Sequence, residues 1–213
     1  MGIGEIICKR AQRVFILWGI GTLIFLPTAA AQEGPTAQVK ATIDRVVSIL
    51  KDPALKNTAK DAQRQKQLQE AIYPRFDFRE MAKRSLGVHW RDRTSQEQEE
   101  FVSLFTTLVA QSYSKSLDAY TDEKIDYIKE ETDTQIAIVS TRIVNEKGRL
   151  DIPIDYKLID RDGDWKVYDV VIEDVSMVSN FRSQFNSIIQ TSSYTELVRK
   201  MRFKRNVERV PGA

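Results

Sequence analysis

The spacing of apolar residues changes period twice along this 213-residue chain, and that double change limits the fold more tightly than any other feature of the sequence. Up to about Tyr120, apolar side chains recur every three or four residues, the repeat of an amphipathic helix. Between Ile125 and Ile172 they recur every second residue, the repeat of a half-buried strand, and beyond Val178 the helical spacing returns. Two short polar stretches interrupt the alternating region, Asn145-Glu146-Lys147-Gly148 and Asp160-Arg161-Asp162-Gly163-Asp164. Both have hairpin length, too short for the crossover that a parallel pair needs. The sequence therefore predicts one α+β domain: helices, a four-stranded antiparallel meander, then helices.

Local signals place the elements. Val39, Ile43, Val46, Val47 and Leu50 mark a first helix that Pro53 breaks, and Asp61 to Tyr73 reads as a polar helix with Leu68, Ala71 and Ile72 as its apolar stripe, ended by Pro74. Asp77 suits the N-cap of a short helix, Phe78 to Leu86, with Gly87 as its stop. Thr94-Ser95-Gln96-Glu97 fits a capping box for a long helix through Phe101, Leu104, Phe105, Leu108, Val109 and Ser112 to about Tyr120. Strands are expected around Ile125 and Tyr127, over Gln135 to Val144, along Leu150, Ile152, Ile154, Tyr156 and Leu158, and over Trp165 to Ile172, with Tyr168, Val170 and Ile172 facing one way. Ser176 can cap a helix whose Val178, Phe181, Phe185, Ile188 and Ile189 share a face, and Tyr194 to Phe203 forms another on Leu197, Val198 and Met201. The expected domain spans 32–204, with 205–213 as a flexible tail.

The first thirty-one residues read differently. Lys9, Arg10 and Arg13 precede an apolar run from Val14 to Leu26, and Pro27-Thr28-Ala29-Ala30-Ala31 supplies small residues for cleavage. The run is short of the roughly 20 residues of a spanning helix, so 1–31 reads as a cleaved secretory signal peptide. Its removal takes Cys8, three of the 32 basic residues and one of the 30 acidic residues, which leaves a thiol-free, formally neutral chain.

Much chemistry is excluded by composition. With one His and one Cys, the chain has no Cys/His zinc cluster and no internal disulfide, so packing alone must hold it. It contains no G-x-G-x-x-G, Walker loop, G-x-S-x-G or H-E-x-x-H. Asp160, Asp162 and Asp164 imitate the start of a calcium loop, but Trp165 stands where the loop needs Gly and Val171 where it needs Glu, so a hairpin turn is the better reading. His89 has no carboxylate nearby in sequence to orient it. The basic stretch Arg199, Lys200, Arg202, Lys204, Arg205 and Arg209 suits a solvated helix face, an anionic membrane or a partner; aromatics do not interleave with it as on a nucleic-acid platform. What remains is an apolar wall of Phe78, Met81, Trp90, Phe101, Phe105, Phe181 and Phe185 opposite Ile152, Ile154, Tyr156 and Tyr168. A solid core and an apolar pocket share that pattern, and only volume separates them.

Two stretches carry a family likeness. Phe76-Asp77-Phe78-Arg79-Glu80-Met81-Ala82-Lys83-Arg84-Ser85-Leu86-Gly87, continuing through Trp90-Arg91 and Thr94 to Glu97 and Phe101, resembles the front motif of the MlaC or toluene-tolerance auxiliary family. Trp165-Lys166-Val167-Tyr168-Asp169-Val170, then Val175-Ser176-Met177-Val178 and Phe181 to Phe185, resembles its rear motif, with Asp174 standing where many relatives have Gly. The resemblance implies a periplasmic phospholipid carrier and no enzyme. It implies a cystatin- or NTF2-like fold, with a curved sheet and helices enclosing an apolar cavity for acyl chains. The residues expected to line that cavity are Phe78, Met81, Trp90, Phe101, Phe105, Leu108, Ile138, Ile152, Ile154, Tyr156, Tyr168, Val170, Ile172, Met177, Phe181 and Phe185. The expected partners are an inner-membrane ABC transporter bearing an MCE-domain protein and an outer-membrane lipoprotein bound to porin, met by a monomer with phospholipid as cargo and neither cofactor nor nucleic acid. Two other readings are an NTF2-like enzyme acting on a small hydrophobic molecule, with Asp169 or Glu173 as base, and a structural periplasmic adaptor with a solid core.

Overall fold

The computed structural model describes residues 33–55, 60–118, 120, 123–145 and 151–207. The expected leader, residues 146–150 (most of the expected connection at Asn145-Glu146-Lys147-Gly148 and Leu150 of the expected third strand) and 208–213 of the expected tail lie outside them. Four helices come first: α1 (Pro35–Lys51), α2 (Asp61–Ile72), α3 (Phe78–Leu86) and α4 (Ser95–Asp118). The strands β1 (Lys124–Asp133), β2 (Ile136–Val144), β3 (Asp151–Arg161), β4 (Asp164–Ile172) and β5 (Val175–Ser176) follow, then α5 (Met177–Thr191) and α6 (Tyr194–Val207). The helix α6 thus takes in 205–207, which the sequence assigns to the tail.

The helix ends carry the expected chemistry. The Asp77 side chain accepts from the Glu80 amide at 2.8 Å, and Gly87, at φ 62°, closes α3. In the capping box of α4, the Thr94 hydroxyl accepts from the Glu97 amide at 3.2 Å while the Glu97 carboxylate accepts from the Thr94 amide at 2.8 Å. Ser176 caps α5 by accepting from the Ser179 amide at 3.0 Å. For α1, which has no local side-chain cap, Pro35 presets the first turn and Glu130 of β1 accepts from the Thr36 amide at 2.9 Å.

The sheet is antiparallel in the order β1-β2-β3-β4-β5. The predicted meander of four strands gains a fifth because Ile172 pairs with Val175 around Glu173 and Asp174, both at positive φ (48° and 64°). That backbone suits the glycine expected at the second of these positions. Cross-strand rows such as Tyr127–Thr141–Ile154–Ile172 and Thr132–Ala137–Leu158–Val167 share the inner face.

Two register shifts bend the sheet, one leaving Ile128 and the other Tyr168 as an extra residue. The second breaks the predicted alternation of β4: Val170 and Ile172 face inward, whereas Tyr168 stacks under the Arg84 guanidinium, 4.3 Å from its ring centre. Ile138 pairs with Glu131 and Lys157 and lies on the outer face, because Ala137 and Val139 take the buried positions of β2.

The buried residues form two clusters. The larger joins the inner sheet face to α3, α4, α5 and α6, with Phe101 and Phe105 fully buried at its centre. Its rings interlock: Phe105 meets Phe181 edge-on at 5.3 Å, Phe101 meets Phe185 edge-on at 5.7 Å, and Phe181 stacks on Phe185 at 5.6 Å. The smaller cluster, Ile49, Leu50, Leu55, Leu68 and Ala71, holds the end of α1 to α2, with Leu117 and Tyr120 packed against it.

Candidate functional site

A cavity of about 330 Å³ lies where the two clusters meet. That is roughly ten times the ~30 Å³ share of one water in the liquid, too large for a packing defect. One wall is Val39, Ile43, Val46, Val47 and Leu50 of α1 with Leu68 and Ile72 of α2. Opposite stand Ile125, Ile143, Ile154, Tyr156, Val167, Val170 and Ile172 of the sheet. Val109, Ala110, Tyr113 and Leu117 of α4 and Met177 at the start of α5 close it further, and the polar Thr42, Gln65, Gln69 and Ser114 also stand on the wall. Each element faces the cavity with the stripe its period dictates: positions 39, 43, 46, 47 and 50 on α1, positions 109, 110, 113 and 117 on α4, alternate residues on the strands.

Of the expected lining residues, Phe78, Ile154, Tyr156, Val170, Ile172 and Met177 stand on this wall. Phe101, Phe105, Phe181 and Phe185 do not, because they spend their surface on one another, and Met81 and Trp90 are buried in the same solid core. Leu108 and Ile152 pack partly buried against that core, while Tyr168 and Ile138 point elsewhere, as described above. The sequence missed the contribution of α1 and α2. Its signal was the apolar stripe of α1, which has no obvious partner in the polar helix that follows.

Among the described residues, Arg75 is the only charged side chain on the cavity wall. It is anchored at one end: its Nη1 lies 2.7 Å from Asp164 Oδ1, 2.6 Å from the Trp165 carbonyl and 2.6 Å from Gln38 Oε1, with Nε 3.4 Å from the Thr42 hydroxyl. The Gln38 amide in turn donates to the carbonyls of Glu33 and Gly163, both at 2.8 Å, so α1 is tied to the β3–β4 hairpin. This hairpin is the stretch with the calcium-like spacing. Its Asp160 accepts from the Gly163 amide and its Asp164 holds Arg75. Tyr73, Phe76 and Phe78 form an aromatic end beside Arg75, with Tyr73 meeting Phe78 edge-on at 5.0 Å.

Burial keeps three phenols of the wall, Tyr73, Tyr113 and Tyr156, neutral. Burial raises the pKa of Tyr73; burial and then the Asp169 charge raise that of Tyr113; Tyr156 is pushed up to about 12 by burial, which a hydrogen bond with Thr141 opposes.

The two candidate bases, Asp169 and Glu173, lie off the cavity wall. Asp169 is 5% exposed, and both its oxygens serve α5: Oδ1 accepts from the Val178 amide at 3.0 Å and Oδ2 from the Ser176 hydroxyl at 2.7 Å. It works as a buried anchor for a helix N-terminus. Among the described residues, no group of three or more His, Cys, Asp or Glu side chains is placed to hold a metal ion. A separate surface depression of about 350 Å³ lies between the exit of α3 and α5, where His89 Nε2 is 3.1 Å from Asn186 Oδ1; it shares no wall residue with the cavity.

What this arrangement can do is hold an apolar body. Water would find few polar partners on these walls.

Comparison with known proteins bears on the occupant. A family model described as MlaC protein matches residues 40–203. The chain is 24% identical over 186 residues to the intermembrane phospholipid transport system binding protein MlaC of Haemophilus influenzae, covering 82% of this chain and 83% of that one. It is also similar to the solved structure of a phospholipid-binding protein from Ralstonia solanacearum in complex with a phospholipid. There the TM-score is 0.70 and the identity 25%, over 81% of this chain and 96% of that one.

Proposed function

The chain belongs to the MlaC family, and from that premise we propose that it is a phospholipid carrier whose cavity takes acyl chains. One observation carries the reading: a cavity of about 330 Å³ between sheet and helices, lined mainly by apolar side chains, with Arg75 as its one charged side chain among the described residues. It sits within the roughly 300–1,000 Å³ range of small-molecule sites. The binding of phospholipid by the Ralstonia protein and the transport role in the name of the Haemophilus protein point the same way.

The energetics suit a carrier. Two acyl chains of about thirty methylenes, at roughly 0.8 kcal/mol each, put on the order of 25 kcal/mol of hydrophobic cost on a lipid alone in water. An apolar wall offsets that cost for each methylene it encloses, so moving the lipid between bilayer and protein needs no covalent step. Direction then comes from partners, since the sequence has no nucleotide-binding loop. We place the protein in the periplasm after loss of residues 1–31. There it would exchange lipid with an MCE-bearing ABC transporter of the inner membrane and a lipoprotein–porin complex of the outer membrane.

The test is organic extraction and mass spectrometry of protein purified without detergent. A near-stoichiometric phospholipid is expected; protein free of lipid when isolated from a phospholipid-rich cell would overturn the reading.

A further inference from the structure

The basic stretch near the C-terminus has no part in the cavity. The helix α6 buries Leu197, Val198 and Met201 against α4 and α5, and leaves Arg199, Lys200, Arg202, Phe203 and Lys204 exposed. Phe203 is 67% exposed on this wet side. At 3.6 residues per turn, Arg199 and Lys200 lie one turn before it on the same face, and Lys204 adjoins it.

Five basic residues and one acidic residue fall on this helix. The acidic groups packed nearby are already engaged. Glu196 holds Arg199 by two bonds of 2.7 Å, and Glu100 of α4 accepts from Arg202 at 2.7 Å. Glu97 lies 3.5 Å from Arg93, and Glu99 pairs with Arg79. Lys200 and Lys204 make no salt-bridge contact among the described residues, and Lys200 shares with Arg199 the field of Glu196, so the surface around Phe203 keeps an excess of positive charge.

We propose that this face of α6 is a docking surface for an anionic lipid bilayer. Cations around an exposed aromatic ring match the chemistry of a bilayer interface: the charges meet anionic headgroups and the ring sits at the headgroup–acyl boundary. A protein partner would need an acidic surface with an apolar pocket matched to the ring, whereas every headgroup–acyl boundary of an anionic bilayer offers both at once. The placement also separates docking from cargo. The helix α6 packs on the first two turns of α4, near Glu97 and Glu100, whereas the cavity begins at Val109, roughly 15 Å further along the helix at ~1.5 Å per residue. A docked protein therefore keeps its cavity wall free.

The test is flotation of the chain from Gln32 onward with phosphatidylcholine vesicles, with and without phosphatidylglycerol. The wild type is expected to float with the anionic vesicles at low salt and to be released at high salt, as the screening length falls from roughly 10 Å at 0.1 M to roughly 3 Å at 1 M. Each lysine near an anionic surface is worth roughly fivefold, so Lys200→Gln with Lys204→Gln lowers partitioning about 25-fold. Phe203→Ser weakens binding and leaves its salt dependence intact. All these side chains are exposed, so the variants should melt like the wild type and keep their bound lipid on extraction, which separates this proposal from the carrier reading. No flotation with anionic vesicles, equal flotation with pure phosphatidylcholine, or wild-type binding by the double lysine variant would each overturn it.

Discussion

Ala110→Phe asks whether the space between α1, α4 and the sheet is a void or a core. Ala110 lies on the cavity wall, one turn before Ser114 on α4. A ring placed there enters unoccupied space. Burying it gains about 1.5–3 kcal/mol, less about 0.5 kcal/mol of helix propensity, for a net of about 2 kcal/mol in the lipid-free protein. For a domain of this size that is a rise in melting temperature of roughly 4–8 °C. The same change at Ala82, fully buried in the solid core of α3, should overpack it at a cost of about 1–3 kcal/mol or more. Calorimetry of delipidated protein gives the sign, and native mass spectrometry gives the loading, which should fall in Ala110→Phe. If that variant melts lower, as Ala82→Phe does, and binds lipid like the wild type, the reasoning is refuted.

Asp169→Ala strips the Val178 amide and the Ser176 hydroxyl of their buried partner, for a loss of about 1–3 kcal/mol in urea melts; together with Ser176→Ala the losses should fall short of their sum, since both act on one cap. Asp174→Gly relieves a backbone at φ 64° and should stabilise by up to about 1 kcal/mol, read as a rise in thermal midpoint. The hydrogen bonds to Thr36 hold the Glu130 carboxyl below its ordinary 4.5, against the opposing pull of burial. With the folded value depressed, its stabilising contribution is present at neutral pH and is lost as pH falls from 4.5 through that lower value. Glu130→Gln should therefore flatten the acid limb of the stability–pH curve, and identical limbs would contradict the assignment.

Local chemistry was legible in the sequence wherever two or three neighbouring residues decide the outcome. Asp77, Thr94 with Glu97, and Ser176 cap the helices they were assigned, and the alternation from Ile152 to Leu158 gave the third strand its inner face. Non-local geometry was not. One extra residue in a strand reverses the side on which its neighbours stand, so the bulge at Tyr168 undid an alternation that looks regular on paper. The run Ile136-Ala137-Ile138-Val139 offers an apolar side chain to both faces, and the identity of the buried pair depends on register with β3. The site suffered most. Phe101, Phe105, Phe181 and Phe185 are among the largest apolar side chains in the helices and so natural candidates for a wall, but these four rings fill space by meeting each other. The void lies where those four rings are absent, between the Val, Ile and Ala residues of α1, α4 and the sheet and beside the aromatic end at Tyr73, Phe76 and Phe78, and no residue pattern records a volume.

The most direct measurement is a crystal structure of the protein purified from cells without detergent. The account predicts continuous, chain-like density running past Val109, Tyr156 and Val170 and ending in a headgroup outside the apolar walls. A cavity collapsed by its own side chains, or filled with ordered water along those same walls, would contradict it.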